Sequence, residues 1–254
     1  MMRRGVLGAM LGAVAVWFGR GAAARPAVSA APIPYPLVTV PGSQALATWE
    51  RLRREGKGWP VVIGDDEALA MIGENFADEA GQSPEAALAA AAKIILPGAL
   101  EKHFAQEYGA DAEVPEAGDW PATTEGLVSG LSVASDILTG KPFERVHILL
   151  LPTSDGSEAP AYLRWGGWNA CPPAALHVAV LRSWKQRYGA ELVGLSGDVI
   201  DLRVTKRPAT RAEAMALARE QYFYCSDIVD QGTTSLPPLA AGLMDSDWWF
   251  FWWD

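Results

Sequence analysis

Apolar positions along the chain repeat with two periods. In residues 43–55, Ala45, Leu46, Trp49 and Leu52 recur every three to four positions, the spacing of one helix face. Ser43 can cap this helix, and Gly56 and Gly58 end it. Residues 59–64 are an unbroken apolar run closed by glycine, which predicts a buried strand. Asp65 or Asp66 can cap a helix through Glu74. Ser83-Pro84-Glu85 opens an alanine-rich helix to Ile95, with proline in its first turn. Residues 145–151 predict a strand ended by Pro152, followed by a turn at 154–157 and an antiparallel partner at 161–165. Pro172-Pro173 opens a helix to Tyr188, stopped by Gly189, on which His177 shares a face with Leu181, Trp184 and Tyr188. Residues 191–195 and 199–204 flank Ser196-Gly197-Asp198, a hairpin signal. Pro208 and Thr210 start a helix to about Cys225, with Thr210 and Glu213 spaced for a reciprocal capping box.

Strands joined by a tight turn cannot be parallel, because a parallel pair needs a long crossover. The order of elements therefore predicts an α+β fold with a mixed or mainly antiparallel sheet and helices packed on it. The aromatic run Trp248-Trp249-Phe250-Phe251-Trp252-Trp253 is its last strand. Alternate rings on a strand point to opposite faces, so a central or well-covered position is expected for it. Residues 109–124 are acidic, with Pro and Gly, and read as a surface loop. The chain divides into a signal-like segment (1–30), a Pro-rich extended lead-in (31–42), a helical α/β portion (43–140) and a C-terminal α+β domain (141–254).

Composition changes this picture at the start of the chain. Arg3 and Arg4 precede an apolar run of about fourteen residues and then small residues, the layout of a secretory signal of twin-arginine type. The run is shorter than the roughly 20 apolar residues of a membrane span. The expectation is export, with cleavage after Ala24 or Ala30. The alternatives are an uncleaved N-terminal anchor, the sole membrane contact expected, or a cytoplasmic protein. Cleavage after Ala24 removes Arg3, Arg4 and Arg20 and takes the net charge from -9 to -12. That balance argues against a nucleic-acid partner, and two cysteines in 254 residues exclude a disulfide scaffold.

The densest chemistry is Cys225-Ser226-Asp227-Ile228-Val229-Asp230-Gln231. Asp227 and Asp230 can cap turns through their acceptor oxygens. Alternatively, they can meet His177 or Glu220 in a pocket and divide acid and base roles or hold a hard cation. Cys225 and His177 complete that catalytic set. Cys171 sits where a helix begins, which would lower its thiol pKa. Cys171 and Cys225 are either a disulfide joining two helices or two buried thiols. Trp165, Trp168 and Asn169, around Gly166-Gly167, suit a planar ligand or sugar or else cover the sheet, and Gln231 adds an amide. His103 lies in a polar stretch and His147 within a strand. No metal-ligand spacing, phosphate loop or dinucleotide fingerprint is present, so no cofactor is expected.

Several of these stretches recur together elsewhere. Gly166-Gly167-Trp168-Asn169-Ala170-Cys171-Pro172-Pro173, Tyr188-Gly189-Ala190-Glu191-Leu192-Val193, Arg207-Pro208-Ala209-Thr210-Arg211-Ala212-Glu213-Ala214, the run from Glu220 to Gly232 and the final Trp252-Trp253-Asp254 resemble, in this order, the bacterial domain-of-unknown-function family 4253. The resemblance covers residues 145–254. Members usually have proline where Ser226 stands. The resemblance implies a fold unit and no reaction. The expected function is therefore a non-enzymatic binding or interaction module, inhibitor- or immunity-like by fold analogy, with an unknown protein or small-molecule partner. The alternative is a hydrolase-like or metal-assisted enzyme with its site around Asp227 and Asp230.

Overall fold

Leu37–Val40 (β1) lies beside a strand more than a hundred residues away, and this sets the architecture. The computed structural model describes residues 33–77, 82–124 and 130–254. The other elements are α1 (Gly42–Glu55), β2 (Trp59–Gly64), α2 (Asp66–Glu74), α3 (Pro84–Ala91), α4 (Gly98–Tyr108), β3 (Val146–Leu151), α5 (Ala159–Tyr162), α6 (Ala174–Tyr188), β4 (Glu191–Leu195), β5 (Val199–Arg203), α7 (Arg211–Tyr224), α8 (Leu236–Asp245) and β6 (Trp248–Trp252). The six strands form one mixed sheet in the order β1-β3-β2-β4-β5-β6. β2 and β4 run parallel at Val62↔Gly194, and every other pairing is antiparallel. Strands from both halves of the chain interleave, since β3 lies between β1 and β2 while β2 also pairs with β4.

Local rules account for most boundaries. The Asp65 carboxylate accepts from the N–H groups of Glu67 and Ala68 and starts α2. Thr210 Oγ1 accepts from Glu213 N at the start of α7, while the Glu213 carboxylate reaches past the cap to Ala209 N instead of closing the reciprocal box. Ala45, Trp49 and Leu52 are the buried stripe of α1, and Trp49 donates its indole N–H to Pro60 O at 2.8 Å. One cluster holds most of the core, with Trp49, Trp59, Trp165, Trp184, Tyr224 and Phe251 among its largest fully buried side chains, and a small one joins Ala87 and Ala91 of α3 to Ala161 and Val178. Burying such a side chain contributes roughly 1.5–3 kcal/mol.

Four expectations are corrected. Residues 161–165 are not a strand: Pro160 opens the short helix α5, Arg164 takes a left-handed conformation (φ 51°), and Trp165 N donates back to Pro160 O. The partners of β3 are β1 and β2 instead, so the lead-in is extended but bonded into the sheet from Leu37. The alanine-rich helix stops at Ala91 rather than Ile95, and α4 follows Pro97, which disfavours helix at Leu96. β6 is an edge strand, not a central one. Trp249 and Phe251 are buried, whereas Trp248, Phe250 and Trp252 are half-buried. The signal-like segment lies outside the described residues. Among the described residues no helix is long and apolar enough to cross a membrane.

Candidate functional site

The proposed catalytic residues fall into two separate places. His177, on the inward face of α6, is fully buried. Its Nδ1 lies 2.6 Å from the Tyr224 hydroxyl and its Nε2 3.4 Å from Cys171 Sγ. Trp165, Tyr224 and Trp253 surround the ring, with centroids 4.8–5.5 Å away. Burial, reinforced by the charge of His103, holds the imidazole down at about 3. A thiol beside an imidazole can form a nucleophile–base pair, but here burial moves both groups the wrong way, raising Cys171 well above its usual range. Cys171 precedes α6 by three residues and gains no lowering from the helix start. Cys225 is raised by burial too, and its thiol donates to Trp252 O at 2.9 Å. Both cysteines are free, so the disulfide alternative is not formed. Neither thiol is expected to react with iodoacetamide in the folded protein over hours, and both should react within minutes in guanidinium. Mass spectrometry reads the outcome, and modification of native Cys171 would restore it as a nucleophile.

The loop before α6 is shaped by two glycines with positive φ, Gly166 (104°) and Gly167 (87°). A Cβ on Gly166 would lie 2.2 Å from Pro172 O and 2.8 Å from the His177 ring. Trp165 is fully buried and donates to Ser196 O, Trp168 packs edge-on against it at 4.8 Å, and Asn169 donates to Asp254 O. This binding trio thus closes the core and ties down the C-terminus.

Asp227 and Asp230 do not reach His177. Asp227 accepts from Gln231 Nε2 and from Asp254 N, each at 3.1 Å. Asp230 is exposed and accepts from the Tyr222 hydroxyl; partial desolvation and the Asp227 charge raise its pKa against that bond. Glu220 is taken by Trp184 Nε1 and Arg187. His103 contacts Ala170 O, and buried His147 bridges Thr39 and Asp66. Ser226, where the resemblance expects proline, donates to the Tyr108 hydroxyl at 2.7 Å, a bond proline lacks the group to make. Among the described residues no three His, Cys, Asp or Glu side chains are grouped to hold a metal ion.

Asp227 and Gln231 instead line a groove of about 490 Å³ between β6, the π-helical turn Ile228–Thr233 and α8. Trp248, Phe250 and Trp252 form one wall, and Leu239 and Leu243 of α8 face them. The volume falls within the range of small-ligand sites, and so does the mostly apolar lining with few polar groups. Gln221 of α7 also lines it. This side chain is 1% exposed, yet its Nε2 has no hydrogen-bond partner. A buried amide without a partner costs roughly 1–3 kcal/mol, and this one belongs to a residue that lines the groove. The indole N–H groups of Trp249 and Trp253 are also unpaired, but their rings pack among Trp184, Tyr188, Tyr224 and Trp165 in the core. Sequence reasoning missed Gln221 and α8 alike: a single Gln on a helix carries no sign of burial, and Pro237-Pro238 conceal a helix by sitting in its first turn.

The fold and groove define an α+β protein with a mixed six-stranded sheet and a concave site along its last strand. Residues 147–254, the C-terminal part of the chain, match the family described as Domain of unknown function (DUF4253). No curated protein and no solved structure matches the chain.

Proposed function

We propose that the protein is a non-enzymatic binding module whose ligand occupies the groove along β6. The observation that carries this reading is Gln221, a buried amide with an unspent donor in an aromatic-walled cavity. The scatter of Asp227, Asp230, Cys225 and His177 between that groove and the closed core supports binding over hydrolysis, since an enzyme needs its acid, base and nucleophile within hydrogen-bond reach. The neutral dye Nile red probes the groove. Wild type is expected to take it up at a single saturable site, and Leu239→Trp, which fills the cavity from α8, should weaken uptake at least tenfold with the thermal midpoint unchanged. Equal uptake by both would remove the groove as the site.

Export is the proposed address, resting on the pattern of Arg3, Arg4 and the apolar run that follows. N-terminal sequencing of protein from a native host should begin after Ala24 or Ala30, and an intact Met1 in the soluble cytosolic fraction would refute it.

A further inference from the structure

The hydrogen bonds around β6 show which of its backbone groups face outward. Val204 N donates to Asp247 O and Trp253 N to Asp198 O. Hydrogen-bonded pairs alternate along an antiparallel ladder, so Trp249, Phe251 and Trp253 turn their backbone groups toward β5. Those of Trp248, Phe250 and Trp252 point away from β5, and Ser246, which bonds the outward groups of Trp248, also lines the groove.

That free edge is closed at both ends and open in the middle. The Ser246 hydroxyl accepts from Trp248 N and donates to Trp248 O, both at 3.0 Å. At the other end Trp252 O is taken by the Cys225 thiol. Among the described residues the N–H and C=O of Phe250 and the N–H of Trp252 have no partner. An exposed edge of this kind is a template for another strand. From Trp248 to Trp252 the window is about 13 Å long at ~3.3 Å per residue, the reach of four or five extended residues.

Charge decides what kind of strand fits. Among the described residues that line the groove, Asp227 is the sole ionisable one. At the Trp252 end its carboxylate is joined by Asp254, whose N–H it accepts, and by Asp198, whose carbonyl accepts from Trp253 N and whose carboxylate feels the Asp254 charge. Among the described residues none of these three carboxylates forms an ion pair. The aromatic faces of Trp248 and Trp252 suit the apolar stem and cationic head of a Lys or Arg.

We propose that the groove captures an extended basic peptide segment of a partner, which adds to β6 as a seventh strand through Phe250 and Trp252 and sets a Lys or Arg side chain against Asp227. The Gln221 amide then donates to a carbonyl of the added segment, giving a partner to a buried donor that the fold leaves unpaired. Main-chain bonds supply affinity and the alternate side chains supply choice of partner, as in other strand additions. This rests on the groove being the binding site.

The test uses fluorescein-labelled Val-Lys-Val-Lys-Val, followed by fluorescence anisotropy with the full chain. Saturable binding is expected, at least tenfold tighter than that of Val-Glu-Val-Glu-Val and weakened tenfold by Asp227→Asn. Two further peptides, N-methylated at odd or at even residues, each lose the donors of one strand edge, and one of them should bind at least tenfold more weakly. Phe250→Pro removes an outward N–H that the ladder with β5 does not use, and should lower affinity similarly. If both methylated peptides bind like the parent, attraction is by charge alone and strand addition is wrong. If Nile red enters the groove but no peptide binds, strand addition falls and the binding-module reading stands. If Nile red also fails to bind, both fall.

Discussion

Gly166→Ala is expected to destabilise the protein by about 4 kcal/mol in urea unfolding, while Gly167→Ala, one residue later, should cost only about 1–2. Both glycines have positive φ, so each alanine bears the backbone strain of a conformation that L-residues rarely adopt. The difference is what the new methyl group meets. At Gly167 nothing lies within 4 Å; at Gly166 the methyl would be driven into Pro172 O and the edge of the His177 ring. Neither can yield cheaply. Pro172 O accepts from Gly167 N, and His177 is held by Tyr224 and packed among Trp165 and Trp253. Equal losses for the two variants would mean that the loop relaxes and that the close approach to His177 carries no energy.

Acid should have little net effect on two buried groups together and a large one once they are separated. His177 is held at about 3, below its unfolded value of 6.5. The unfolded chain therefore binds a proton first, and the stability present above pH 6.5 is lost as pH falls toward 3, by about 3 kcal/mol at pH 4. Asp201 is the opposite case. Fully buried on β5 and accepting from Ser132 Oγ and Val133 N, it is raised by burial to about 6. Its folded form takes up the proton first, so stability rises as pH falls from 6 toward the unfolded value of 3.8, by about 2 kcal/mol at pH 4. The two slopes largely cancel. Asp201→Asn removes the gain and leaves the loss, so this variant should fall about 2 kcal/mol further than wild type between pH 7 and pH 4 in urea titrations. Parallel pH profiles for the two proteins would show that Asp201 is ionised in the fold.

What was legible in the sequence is what local spacing determines. The β4–β5 hairpin, the stripe of α1, α6 ending at Gly189 and the Thr210 cap all depend on residues within a few positions of one another, and each is where its pattern places it. The α+β class with a mixed sheet followed from the same local elements. Neighbour relations across the sheet did not. Period-two alternation in residues 248–253 reports which ring faces which side, yet says nothing of whether a strand lies on both flanks, so the edge position of β6 was out of reach. Residues 161–165 carry β-forming side chains, and Pro160 with the left-handed Arg164 overrides them. At the site, Asp227 and Gln231 do reach the groove, because the motif around them is a turn at the end of α7. His177 and Trp165 were singled out for their chemistry, but the apolar neighbours at helical spacing that accompany His177 were the better guide, and they point into the core. Gln221 could be recognised only once α8 and β6 had covered it.

The parallel contact of Val62 against Gly194 has a consequence for how the protein is made. A ribosome adding roughly 5–20 residues per second delivers β2 long before β4 exists, on the order of ten seconds earlier. β3 emerges in between, so β1, β3 and β2 can zip together first. During that interval the other flank of β2, Trp59-Pro60-Val61-Val62-Ile63, stands bare: an apolar strand bordering water until the hairpin arrives to cover it. The nascent chain is therefore most prone to aggregate midway through translation, and a chaperone would have most to do there.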